Sequence, residues 1–181
     1  MTATKVNGGL EIDPTIAGTV VGTYWFLMLI GRLSGGLIAG KFSSRVMLTS
    51  VASLGIVLVI AGIFSPTTIE VNMPVFKSDI SLGFAKVPIS IMFFVLAGLS
   101  TSVMWGNIFN LATSGLGKYI AAASGFFMVM VAGGGILPAL QGGTADFVGF
   151  INSYWIVVAG FAYILFYALI GHKNINKNIS V

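Results

Sequence analysis

The sequence predicts an all-α, polytopic membrane bundle of five transmembrane helices. Three observations lead there. Hydrophobic residues make up 56% of the chain and charged residues only 8%, against about 25% charged in ordinary soluble domains. Mean hydropathy is +1.00. The apolar residues fall in long continuous runs rather than alternating segments of about ten residues, which selects helices over a membrane barrel, because lipid offers no partner to a backbone amide. At about 20 residues per crossing the chain holds roughly four to six spans and no large soluble domain.

Taken in order, residues 1–13 read as an external N-terminal segment. Lys5 is outweighed there by Glu11 and Asp13, the wrong sign for a cleaved leader, so the first apolar run is expected to stay in the membrane. Spans one and two occupy residues 14–64, as Pro14–Gly40 and Val46–Phe64 joined by the polar link Lys41-Phe-Ser-Ser-Arg45. Residues 65–86 hold Pro66, Glu70, Pro74, Lys77, Asp79 and Lys86, a density of charge and helix breakers that reads as an external loop. Residues 87–171 hold three spans, Val87–Gly117, Tyr119–Ala145 and Phe147–Gly171, interrupted by Lys118 and Asp146. Residues 172–181 form a cytoplasmic tail. His172, the lone histidine, reads there as a surface residue rather than a proton relay.

Orientation follows from the basic residues. Lys41, Arg45, Lys118, Lys173 and Lys177 fall on one side and Lys5, Lys77 and Lys86 on the other, so the first side is the cytoplasm and the N-terminus lies outside. Removal of upstream helices from a larger protein would leave such an odd-numbered arrangement. An ungapped alignment of Gly22–Gly40 on Ser124–Gly142 sets Met28 opposite Met130, Gly31 opposite Gly133 and Gly40 opposite Gly142. A true repeat would make spans one and two the last two helices of a triplet and spans three to five a complete one, as in transporters built from inverted repeats. Shared membrane composition accounts for the matches equally well.

Several chemistries are not expected. Without cysteine there is no disulfide framework, thiolate metal site or cysteine nucleophile. No metal-ligand cluster and no nucleophile with its base is legible, so neither an enzyme nor a cofactor or metal protein is indicated. The net charge of +4 reads as positive-inside topology rather than affinity for nucleic acid. No carboxylate lies at mid-span, so a proton-coupling residue is expected elsewhere.

The candidate site residues are polar groups within the spans. Arg32 is the charge embedded in a span, flanked by Gly31, Gly35, Gly36 and Gly40, whose spacing gives two small-xxx-small patterns that permit close helix approach. It reads either as an inner-gate charge, pairing with a carboxylate or a helix C-terminus in one conformation, or as an interfacial anchor beside a packing seam. In span three, Asn107 and Asn110 are three residues apart on one helix face with Trp105 nearby. An indole with carboxamides suits a neutral sugar, whose apolar face stacks on an aromatic ring while its hydroxyls need donors and acceptors. The same amides also serve as bonds between helices. Span four carries Gly133-Gly-Gly135, Pro138 and Gln141, the pattern of an interrupted helix whose released backbone groups need a cavity or a neighbour.

The stretches MWGNIFNLATSGLGKY and AAASGFFMVMVAGGGILPALQGGTADFVG within Met104–Gly149 resemble the last third of fucose and glucose/galactose proton symporters of the major facilitator superfamily. The shared features are an aromatic residue before an Ile-Phe motif, a GLGK-type turn, a glycine-rich helix ending near proline, and an Ala-Asp external loop. GRLSG at Gly31–Gly35 is similar to the family's eighth helix. The segment GLIAGKFSSR, Gly36–Arg45, resembles the superfamily's short cytoplasmic loop signature, with Gly40 where an acid stands. The resemblance implies a partial fold of that superfamily, helices eight to twelve of twelve, in a bacterial inner membrane. It implies uptake of a hexose or related sugar with a proton by alternating access, with no cofactor. Trp105, Asn107, Asn110 and Gln141 would line the C-terminal wall and Arg32 would belong near the inner gate. Where relatives commonly carry proline then threonine or alanine, this chain has Gly106-Asn107, so the choice of sugar does not carry over. The opposite wall and the proton-linked carboxylates would belong to an N-terminal half or an upstream-encoded partner, and five helices alone would not transport. The other reading is a stand-alone, non-transporting membrane subunit or scaffold.

Overall fold

The first helix opens on a capped turn. Asp13 accepts the backbone N–H of Thr15 at 2.7 Å, which holds its carboxyl below the usual carboxylate range, and Pro14 supplies a preset φ at the first helical position. The computed structural model describes residues 13–76, 81–131 and 133–173. Lys5, Lys77 and Lys177, used above to assign sidedness, lie outside those residues, as do Glu11, Asp79 and the rest of 1–12 and 174–181.

Helix α1 is Pro14–Ile38 and α2 is Ser44–Phe64, capped by Ser43. An antiparallel hairpin follows, β1 Glu70–Phe76 and β2 Leu82–Pro88, in register from Glu70 opposite Pro88 to Phe76 opposite Leu82. The third span is divided into α3, Ile89–Thr101, and α4, Met104–Thr113. A 3-10 turn at Gly117–Tyr119 leads to α5, Ile120–Met130, then α6, Gly133–Val148. Gly115 and Gly117 take positive φ in the turn between the third and fourth spans, a conformation that costs glycine no steric strain. The chain ends with a short turn α7, Phe150–Ser153, then α8, Trp155–Phe166, and a π turn at Tyr167–Gly171.

Five helical stretches are long and apolar enough to cross a membrane, as the sequence predicts: 14–38, 44–64, 89–113, 117–148 and 150–171. The protein is therefore a multi-pass, all-α membrane bundle. Most of the described part of the segment read from sequence as a loop pairs as the two strands. Its alternation is visible in retrospect, because Met73 and Val75 are buried while Glu70, Asn72 and Pro74 are exposed.

Four spans make a packed layer, and glycine sets its spacing. Helix α3 lies between α1 and α2, and α2 lies between α3 and α8. Gly62 of α2 makes room for the Phe94 ring and Gly55 for the Phe161 ring, and Phe94 stacks on Tyr154 at 3.8 Å between centroids. On the other side of α3, Gly98 sits against the Tyr24 carbonyl, where an added Cβ would stand 2.9 Å from the oxygen. Tyr24 and Thr101 join their hydroxyls at 3.0 Å. Arg45 donates to the Leu169 carbonyl at 3.2 Å, so the first turn of α2 grips the end of span five through the favourable meeting of a cation with a helix C-terminus.

The fourth span stands differently. Helix α5 packs mainly on α4 and α6 mainly on α7, and no residue of either helix is buried. Pro138 lies within regular α6.

Packing at Gly98 and the open surroundings of Gly160 give opposite expectations for the same substitution. Gly98→Ala should lower the thermal unfolding midpoint in detergent by several degrees, about 1–3 kcal/mol of overpacking. Gly160→Ala, inside α8, should leave it unchanged or higher, because alanine favours a helix over glycine.

Candidate functional site

The third span breaks after a run of hydroxyl residues, Ser100-Thr101-Ser102, and the break is where the polar chemistry of the bundle gathers. A helix that stops in apolar surroundings exposes its last carbonyls, and here they are taken up in turn. Thr101 Oγ1 donates to Gly98 O at 3.0 Å and Ser102 Oγ to Leu99 O at 2.5 Å. Arg32 Nε donates to Ser102 O at 3.3 Å. Asn107 Nδ2 donates to Val103 O at 2.8 Å, which also receives the Asn107 backbone N–H. The hydroxyl of Ser100, fully buried one residue before these donors, has no hydrogen-bond partner among the described residues.

The break can approach α1 only because of two glycines. A Cβ on Gly31 would collide with the Ser102 side chain, and one on Gly35 with the Val103 side chain. These are the small residues of the first small-xxx-small pattern. The second pattern, Gly36 and Gly40, meets nothing within 4 Å. A cleft of about 340 Å³ lies beside the break, between α1, α2 and the end of α3, with Ser34, Ser50 and Ser102 as its hydroxyl residues. Ser34 and Ser102 donate to carbonyls of their own helices, which leaves the cleft largely apolar.

The sequence-derived site residues divide by face. Asn107 is 7% exposed and turned into the bundle. Trp105, two residues earlier, is 44% exposed and meets the Phe127 ring of α5 edge-on at 4.8 Å. Asn110 is exposed, one turn beyond Asn107. Gln141 is half-buried on α6, whose main neighbour is α7 rather than α4. The structure therefore brings Asn107 and Arg32 to one break, sets Trp105 at the α4–α5 contact, and leaves Gln141 on a separate helix. Sequence reasoning missed Ser102 and Val103, whose only advance signal is the hydroxyl run before them. Among the described residues no three His, Asp or Glu side chains gather as a metal site.

No family model matches the chain, and no solved structure matches it at a significant level. Four curated relatives do, and two of them represent the set. The chain is 42% identical over 84 residues to a "Glucose/galactose transporter" of Brucella abortus biovar 1 (strain 9-941), covering 46% of this chain and 20% of that protein. It is 27% identical over 169 residues to a "Putative glucose/galactose transporter" of Helicobacter pylori (strain ATCC 700392 / 26695), covering 91% of this chain and 37% of that protein. The chain is similar to proteins named as sugar transporters. It spans well under two thirds of their length.

The two amides of α4 are expected to differ in what they hold. Asn107→Leu removes the side-chain donor from Val103 O, which keeps the backbone N–H of residue 107, and should cost about 0.5–1.5 kcal/mol, read as a lower unfolding midpoint. Asn110→Leu, at an exposed position, should leave the midpoint unchanged.

Proposed function

We propose that these five helices are the eighth to twelfth of a secondary transporter that takes up a hexose or related sugar, of the glucose, galactose or fucose class, by proton symport with alternating access. The observation that carries this reading is the similarity along 169 residues to a protein named as a glucose/galactose transporter. The matched stretch makes up 37% of that relative, in keeping with five helices in twelve. On this reading the chain supplies one wall of a sugar cavity in a bacterial inner membrane. Its N-terminus is outside and its C-terminus cytoplasmic, the Arg45 end being the cytoplasmic end. An N-terminal half or a separately encoded partner supplies the other wall and the proton-linked carboxylate, and the five helices do not transport alone.

Trp105, Asn107, Asn110 and Gln141 are the proposed sugar contacts. The exposed part of the Trp105 ring offers a stacking surface for the apolar face of a pyranose. One N–H of the Asn107 amide is engaged by Val103 O, so its carbonyl oxygen and second N–H are the groups available to a sugar hydroxyl. Arg32 is the proposed inner-gate residue. Its hydrogen bond to the Ser102 carbonyl ties the first span to the break in the third, a contact that would release when α4 moves relative to α1. The reaction is carriage of an unmodified solute, not catalysis of a covalent step.

The test is uptake of radiolabelled D-glucose, D-galactose and L-fucose by the complete carrier in proteoliposomes with an inward proton gradient. At least one sugar should accumulate, and collapsing the gradient should abolish accumulation. Trp105→Ala should weaken affinity roughly tenfold, the equivalent of about 1.4 kcal/mol of lost contact. A folded carrier that accumulates none of the three sugars would overturn the assignment and favour a non-transporting membrane subunit.

A further inference from the structure

The hairpin lies at an unexpected depth. Helices α1 and α3 run in the same direction, since Tyr24 meets Gly98, Gly31 meets Ser102 and Gly35 meets Val103 in ascending order. The start of α3 at Ile89 is nine residues before Gly98, about 14 Å toward the hairpin end at about 1.5 Å per residue. The far end of the hairpin is nowhere near that outer level. Phe76 donates its backbone N–H to Thr23 Oγ1 at 2.9 Å, stacks on Phe26 at 4.6 Å between centroids, and sets its carbonyl against Gly22. These residues flank Tyr24. The strands thus turn back from Pro88 and run alongside the helices, a length of about 20 Å for a seven-residue strand.

We infer that the hairpin is a re-entrant plug in a water-filled vestibule, and that the Gly22, Thr23 and Phe26 face of α1 lines this vestibule rather than meeting lipid. The physical reason lies in the backbone. Helix α1 covers the deep end of the β1 edge through Thr23 and Gly22, while the β2 edge has no neighbouring strand; open sheet edges do not occur against hydrocarbon, and at membrane depth they are found only inside protein or beside water. The outer face agrees at its base, where Asn72 and Lys86 stand opposite each other and are exposed. Phe84 and Leu82, 77% and 72% exposed on the same face, would by themselves suit lipid as well as a vestibule wall. The β2 edge decides between the two, because an apolar side chain tolerates water far better than an unbonded amide tolerates hydrocarbon. The further consequence, that the plug narrows a solute's path, rests on the carrier reading. The aqueous surroundings do not.

The chain contains no cysteine, so single-cysteine variants report accessibility without background. In membrane vesicles, Leu82→Cys at the deep end should react with a membrane-impermeant sulfonated methanethiosulfonate within about tenfold of the rate of Asn72→Cys, because thiolate forms in water and not in lipid. Val57→Cys, on the exposed face of α2, is the lipid-facing control and should stay unreactive. Phe26→Cys with Phe76→Cys should cross-link on mild oxidation, and Gly22→Cys with Phe76→Cys is a second pair that keeps the Phe26 ring. Deep labelling together with either cross-link supports the plug. A Leu82→Cys variant as silent as Val57→Cys would put the hairpin in lipid, and labelling without either cross-link would put it outside the membrane; each result overturns the inference. Sugar uptake is not the readout, so failure of the carrier reading would leave this result standing.

Discussion

A transmembrane helix that stops and restarts must find partners for the backbone groups it releases, and in lipid water does not supply them. At Ser102–Val103 the partners come from three places: the hydroxyls of α3 itself, the amide of Asn107 on α4, and the guanidinium of Arg32 on α1. The last of these requires α1 to lie almost backbone-to-backbone on the break. Gly31 and Gly35 permit that approach. Remove the glycines and the break loses its cover.

The rest of the bundle depends on that junction. Helix α3 is held between α1 and α2, and α2 between α3 and α8, so the layer is assembled around the third span. Helix α4 stays against α2 after the break, and α5 packs on α4 through Phe127, which meets both Trp105 and Phe109. The fourth span is tied in mainly through α4 and α7. On the proposed reading, the helix that carries Gln141 is held less firmly than the one that carries the other contacts. A carrier that exposes its cavity alternately to two sides needs elements that move beside elements that do not.

The five spans were legible because membrane insertion is written in composition. The hairpin was not, because Pro74, Glu70 and Lys86 outweighed the alternation of Val71, Met73 and Val75, and a period-two pattern flanked by prolines is weak against a charge count. The two small-xxx-small patterns show a second limit. Gly31 and Gly35 carry the seam and Gly36 and Gly40 do not, yet nothing in their spacing distinguishes them, since the choice depends on which face α3 covers. Arg32 and Ser102 are 70 residues apart, and no local signal pairs them. The candidate residues Trp105, Asn107 and Asn110 were named from the sequence, but their division between buried and exposed depends on which neighbours cover α4, and no local signal gives that.

The most direct measurement is a disulfide across the junction. A Cβ on Gly35 would lie 3.4 Å from the Val103 Cβ, close to the separation of about 3.5–4.5 Å that a disulfide requires. In native membranes, Gly35→Cys with Val103→Cys should cross-link readily on mild oxidation, while Gly36→Cys with Val103→Cys, one residue around α1, should not. Absence of a cross-link in the first pair, or equal cross-linking in both, would contradict a third span seated by its break on α1.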